Sequence, residues 1–251
     1  MCRRLRGDVT ALCRRELPTE LAPVIFNFGA PFRFFDPADV TRFTEHRSFV
    51  TGAFDRYVLV GSTGGYACLQ INFTILGARL FIGRPLRELR NRVVALDDVL
   101  GADAARLTMQ LYEAATWAAR FDLLDREILA RIASRRAPAS AVVTAWQGLV
   151  RHAGQRRIGE LAHDVGWSHK HLVSQFTEEI GLAPKAVARV LRFGRAAQLL
   201  QVTERGRFAD VAYACGYYDQ AHFTRDFHAF AGVTPSERLA SRLPNRGGFT
   251  A

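Results

Sequence analysis

The stretch GYYDQAHFTRDFHAFAGVTP, residues 216–235, recurs in fainter form as GWSHKHLVSQFTEEIGLAP, residues 166–184. Phe227 superposes on Phe176, Phe223 on Leu172, Gly232 on Gly181 and Pro235 on Pro184, all at an offset of 51. Upstream, Ala212 superposes on Ala162 and Gly216 on Gly166 at an offset of 50, so the second copy holds one extra residue just after its glycine. A self-similarity of this kind argues for one structural unit used twice.

Each copy reads as helix, tight turn, helix. Ile158, Leu161, Ala162 and Val165 make an apolar stripe at helical spacing that stops at Gly166, where a left-handed backbone is cheap. Ser168 is a candidate N-cap for the next helix, whose Leu172, Phe176 and Ile180 follow at steps of four. In the second copy Phe208, Val211, Ala212 and Cys215 stop at Gly216, Asp219 is the candidate cap, and Phe223, Phe227 and Phe230 form the buried side. Two short amphipathic helices about a glycine turn are the helix-turn-helix pattern, whose second helix can enter a DNA major groove.

The two units are expected over residues 157–180 and 207–231, within an all-α domain spanning 141–241. Glycine-led signatures, GLAP and GVTP, follow the two copies, and Arg192, Ala196, Leu199 and Leu200 lie on the connector between them. In these features, over about residues 140–240, the chain resembles the DNA-binding domain of the AraC/XylS family of transcription regulators. The resemblance implies a bacterial, cytoplasmic regulator whose partner is double-stranded promoter DNA. A small-molecule effector and RNA polymerase are further expected partners, with the protein acting as a homodimer or a monomer.

If 172, 176 and 180 are buried, the 3.6-residue period turns His169, Lys170, Val173, Ser174 and Thr177 outward. The same geometry exposes Gln220, Ala221, Thr224, Arg225 and His228 in the second copy. Arginine reads guanine and glutamine reads adenine through paired hydrogen bonds, which makes Arg225 and Gln220 the leading base contacts. Lys170 and Ser174 follow, and Val173 offers an apolar contact to a thymine methyl. The family resemblance points to the same positions: Lys170, Val173 and Ser174, then Gln220, Ala221 and Arg225. His169, His171, His222 and Thr224 are placed for phosphates. Trp167, Tyr217 and Tyr218 read as turn packing rather than base stacking.

Charge alone does not single out the second half. The net charge is +10, yet residues 139–251 carry 14 Lys and Arg against 9 Asp and Glu, and residues 1–138 carry 20 against 15. The case for DNA rests on the repeat.

From Pro23 the first half runs in short β-branched and aromatic stretches, PVIFNFG, PFRFF, RSFVTGAF and RYVLVGSTGGYACLQINFTIL. These predict a small sheet or barrel, with GSTGG as a hairpin loop rather than a phosphate cradle, because no Lys-Ser/Thr follows it. After Pro85 the period becomes helical through residues 86–132. The order FNFG, GARLFIGRPLREL, VALDDVLG resembles the cupin-like N-terminal domain of one branch of AraC-type regulators. The expected fold class is therefore α+β. A β-rich regulatory or dimerisation domain with a helical end spans 1–133, SRRAPAS at 134–140 is the linker, and a frayed tail spans 242–251.

Phe26, Phe28, Phe34, Phe73 and Phe81, with Phe32 and Phe35, either line a ligand cavity or fill a core; a filled core is the simpler reading. No cofactor is expected. Cys2, Cys13, Cys68 and Cys215 show no paired spacing, and His46 is the one histidine before residue 138, so a zinc or multi-histidine metal centre is not expected. Nor is an enzyme, since neither H-E-x-x-H nor G-x-S-x-G occurs. No apolar run reaches membrane-spanning length. The rival to a ligand-sensing regulator is a constitutive DNA-binding protein whose first half only docks a partner or dimerises.

Overall fold

A computed structural model of the chain describes residues 2–7, 13–62, 64–202, 207–240 and 249–250. Among the described residues, strands of the first half, joined by one from the C-terminal tail, form two five-stranded antiparallel sheets that do not close into a barrel. One runs in the order β1 (Cys2–Gly7), β8 (Tyr66–Thr74), β3 (Leu21–Asn27), β6 (Phe49–Thr51), β9 (Val93–Ala95). The other runs β10 (Phe249–Thr250), β2 (Arg14–Glu16), β7 (Val58–Ser62), β4 (Phe32–Asp36), β5 (Asp39–His46).

The central pair β3 and β8 shows why the layers form. Its register sets Phe26 opposite Leu69, Val24 opposite Ile71 and Ala22 opposite Phe73 on one face. Alternate residues, Ile25 and Cys68, face the other way and meet Phe32, Phe49 and Val60 of the neighbouring strands in a small inter-sheet cluster. Sheet one is thus the middle layer, with sheet two on one side and helices on the other.

Those helices are α1 (Ile75–Ile82), α2 (Leu96–Leu100), α3 (Ala102–Glu113) and α4 (Trp117–Ala133), with a 3₁₀ turn at Leu86–Leu89. Thr74 caps α1 by accepting the Gly77 N–H at 3.0 Å. Six helices and a short α11 (Pro235–Ala240) follow: α5 (Ser140–Arg151), α6 (Ile158–Asp164), α7 (His169–Ile180), α8 (Pro184–Leu199), α9 (Phe208–Ala214) and α10 (Gln220–Ala231).

The packing does not break where the composition does. One cluster runs from Val24, Phe26 and Leu69 through Phe81 and Leu86 to Trp146, Phe176, Ile180 and Leu191. A second cluster, Val190, Phe193, Leu200, Val211, Phe223, Phe227 and Phe230, belongs to the later helices. Helix α8 gives Val187, Ala188 and Leu191 to the first cluster, and Val190, Phe193 and Ala196 to the second. Each fully buried aromatic contributes about 2–3 kcal/mol of transfer free energy, so both clusters are substantial.

Three expectations need correcting. The strands flanking GSTGG are not a hairpin: β7 pairs with β2 and β4, whereas β8 pairs with β1 and β3, so the segment crosses between sheets. Residues 93–95, read as helical, form β9 against β6. DVTRFTEH, given no element in the sequence reading, is edge strand β5, templated by β4 and exposed along nearly its whole length. The frayed tail lies mostly outside the described residues, though Phe249 and Thr250 pair with Arg15 and Arg14.

Candidate nucleic-acid interface

The two copies share the same backbone hydrogen bonds at the start of their turns. Trp167 N–H donates to the Ala162 carbonyl at 2.9 Å, and Tyr217 N–H to that of Ala212 at 3.0 Å. Gly166 N–H donates to His163 and Gly216 N–H to Tyr213, both at 3.0 Å. The glycines sit at φ 69° and 73°, a region that side chains with a β-carbon rarely adopt.

Each second helix is capped as its sequence implies. Ser168 accepts the His171 N–H at 3.2 Å, and Asp219 accepts the His222 N–H at 2.6 Å. The α7 and α10 helices both end on left-handed glycines, Gly181 and Gly232. The extra residue of the second turn falls at Tyr218, 92% exposed, so the insertion is accommodated in solvent.

On α7, His169, Lys170, His171 and Ser174 are exposed, and Val173 is half-buried. Thr177 is half-buried as well, its hydroxyl donating to the Val173 carbonyl at 2.7 Å. On α10, Gln220, Ala221, Arg225 and His228 are exposed and Thr224 is half-buried. His222 is turned back towards its own turn: its ring lies 5.3 Å from that of Tyr217 and its Nε2 4.0 Å from Asp226. His171 sits edge-on to Trp167 at 4.4 Å. Leu172, Phe176, Phe223 and Phe227 are fully buried behind these faces.

Behind the second face lies a group that the periodicity did not single out. Asp226 is 6% exposed within the Phe223–Phe227–Phe230 stripe. Arg189 of α8 donates to both of its oxygens, at 2.7 and 3.3 Å, and this raises the arginine's pKa further. Burial, with the Asp226 carboxylate adding to it, raises the Tyr217 phenol well above the usual tyrosine range. A carboxylate inside an apolar stripe was a legible signal for a cationic partner; which cation was not.

Four of the five phenylalanines proposed as a pocket, Phe26, Phe28, Phe73 and Phe81, share one packed cluster, and Phe34 does not join them. Phe26, Phe73 and Phe81 belong to the large cluster, with Phe73 and Phe81 stacked at 4.9 Å. Phe34 lies on the other side of the sheet, 4.9 Å from Phe49, and Phe28 stands 6.0 Å from Tyr112. A groove of about 390 Å³ opens between β8 and α4, lined by Phe73 of that set together with Ile71, Asn72, Phe121, Leu124, Asp125 and Ile128. Among the described residues no cluster of His, Cys, Asp and Glu is arranged to hold a metal, and no helix is long and apolar enough to cross a membrane.

Residues 161–241 match the family model of a helix-turn-helix domain. This region is an AraC-type helix-turn-helix domain. Over 85 residues the chain is 32% identical to an uncharacterised HTH-type transcriptional regulator of Staphylococcus aureus, covering 34% of this chain and 11% of that protein. It is 35% identical over 66 residues to the uncharacterised HTH-type transcriptional regulator YbfI of Bacillus subtilis, covering 26% of this chain and 23% of YbfI. The chain therefore spans less than a quarter of the length of these curated relatives. Across both halves its fold is similar to ToxT of Vibrio cholerae O395, with a TM-score of 0.51, 13% identity and 96% of each chain covered. A structure of unsaturated fatty acid bound ToxT is similar to the same degree, with a TM-score of 0.51 at 11% identity over 95% of this chain and 94% of that one. At such identities the likeness to ToxT concerns the fold. The AraC-type domain supplies the paired turns, and the sheets in front of it complete a ToxT-like architecture.

Proposed function

We propose that the chain is a sequence-specific DNA-binding transcription regulator that inserts α7 and α10 into successive major-groove segments on one face of a duplex. The observation that carries this reading is the duplicated turn: two units with matching hydrogen bonds and caps, each presenting a polar helix face above a fully buried one. Lys170, Val173 and Ser174 contact bases in one segment, and Gln220, Ala221 and Arg225 in the next. His169, His171 and Thr224 contact phosphates. His222, held towards Tyr217 and Asp226, reaches a phosphate only by turning outward. Segments one helical turn apart on the duplex, about 34 Å, are what such a pair reaches.

The first half acts as the sensor or dimerisation element, and the protein works in the cytoplasm with promoter DNA as its partner. That ToxT has been crystallised with a fatty acid supports a small-molecule effector, and the groove between β8 and α4 is of a size to admit one. Selection of the full-length protein against random duplexes tests the reading. A bipartite consensus whose halves weaken separately on changing Lys170 and Arg225 is expected; retention of all duplexes alike would overturn it.

A further inference from the structure

The first half touches the two recognition helices at the same place on each. Gly181 and Gly232, which correspond in the repeat, are the left-handed C-caps of α7 and α10. A β-carbon at Gly181 would lie 2.8 Å from the Leu86 carbonyl oxygen, and one at Gly232 would lie 2.5 Å from the Tyr57 ring. Both glycines are therefore faced by the N-terminal half at van der Waals distance.

Each contact is reinforced. Around Gly181, Arg87 pairs with Glu178 at 2.9 Å and Arg79 with Glu179 at 2.6 Å, the latter pair largely buried. Around Gly232, Arg15 donates to the glycine carbonyl at 3.2 Å while its guanidinium lies 5.3 Å from the Tyr57 ring centre.

The two points of contact are themselves tied into one piece. Residues 52–57 and 86–92 are bound by Gly52 N–H to the Arg92 carbonyl at 3.1 Å and Asn91 N–H to the Ala53 carbonyl at 3.0 Å. Asn91 accepts the Asp55 N–H at 2.9 Å and donates to the Asp55 carboxylate at 2.8 Å, with Arg90 donating to the same carboxylate at 3.2 Å. Asn91 takes the left-handed backbone, φ 52°, that this closure needs, and Gly52 leaves no room for a β-carbon beside the Leu89 carbonyl.

We propose that residues 52–57 and 86–92 form a brace that fixes the distance and angle between the two recognition helices, making Tyr57 and Asn91 positioning residues for the spacing of the DNA half-sites. The proposal rests on the DNA-binding reading. Without the brace the two units are joined through α8, its Arg189–Asp226 pair and the approach of Gln155 to Gly216, and an added base pair displaces and rotates one half-site relative to the other. A braced protein must reject that change, and a freed one can follow it.

The test uses the full-length chain and the duplex it selects, with zero, one or two base pairs inserted between the halves. The wild type should lose about tenfold in affinity per inserted pair, comparable to one mismatched position. Tyr57→Ala, Arg15→Ala and Asn91→Gly, the last keeping the left-handed backbone while deleting the side-chain bonds, should lose under about threefold, and Tyr57→Phe should behave as wild type. Variants that keep the wild-type spacing penalty, or a wild type indifferent to insertion, would overturn the brace and leave the DNA reading standing. A wild type that selects no duplex sinks the DNA reading instead. The brace is then judged without DNA, from spin labels at positions 174 and 221 in a background with Cys2 and Cys13 replaced. A narrow distance distribution that broadens in Tyr57→Ala is expected, and one that stays narrow would overturn the brace.

Discussion

Arg189, on the helix that joins the two turns, holds both oxygens of Asp226 on α10, at 2.7 and 3.3 Å. The carboxylate is buried and the guanidinium is partly open to solvent. Arg189→Ala strands that carboxylate and should destabilise the later helices by about 2 kcal/mol, the scale of a hydrogen-bonded charge losing its partner. The double change Arg189→Met with Asp226→Leu should recover most of the loss, because replacing both charges removes the desolvation cost. Urea denaturation of the three proteins decides this; a single variant as stable as the wild type would mean the pair contributes nothing.

Arg225 stands exposed on α10 with its neighbours Gln220 and Ala221. Arg225→Ala should cost about 1–3 kcal/mol on the preferred duplex and relax the preference at one half of the site. Lys170→Ala should do the same at the other half. Equal losses on preferred and random duplexes would mark either side chain as a phosphate contact.

Phe176 and Phe227 correspond in the repeat and are both fully buried, yet they belong to different clusters. Truncating either to alanine should cost about 3–5 kcal/mol. Hydrogen exchange will tell the two apart. Phe227→Ala should quicken exchange chiefly in residues 207–240, whereas Phe176→Ala should also quicken it in β3 and β8. Identical patterns would mean the two clusters unfold as one.

His46 lies 5.7 Å from Phe34 and 6.5 Å from Phe49, and burial lowers its pKa, with the Asp98 carboxylate pulling the other way. As pH falls, the unfolded chain takes up this proton before the folded one does. Stability must therefore drop below the ordinary imidazole pKa of about 6.5. Between about pH 7 and about pH 5 the Tm of the wild type should fall further than that of His46→Gln. Parallel curves would remove His46 from the account.

What could be read from the sequence was what is decided locally. Ser168 and Asp219 as caps, Gly166 and Gly216 as turns, and the buried stripes of α7 and α10 each depend on residues within one or two helical turns. The sheet was less legible. Whether the strand after GSTGG returns along its predecessor or crosses to another sheet depends on β1 and β3, which are distant in sequence. Strand β5 carries no apolar alternation and exists because β4 offers it an edge. In the candidate interface, the polar faces followed from the helical period. Asp226 stood out as a misfit among phenylalanines, but its partner lies 37 residues away. Tyr57 and Asn91 gave no local sign at all, since Tyr57 meets Gly232, far away in sequence, and Asn91 closes onto Asp55, 36 residues away.

The apolar cluster that runs from Phe26 through Leu86 to Phe176 bears on anyone wishing to graft the later helices onto another N-terminal half. A splice at residues 134–139 looks natural on paper, yet it would strip Ile180 and Leu182 of their cover and leave a sticky seam. A working chimera would have to bring replacements for Phe81 and Leu86 with it, or recolour the seam with polar side chains before the transplanted half could stay in solution.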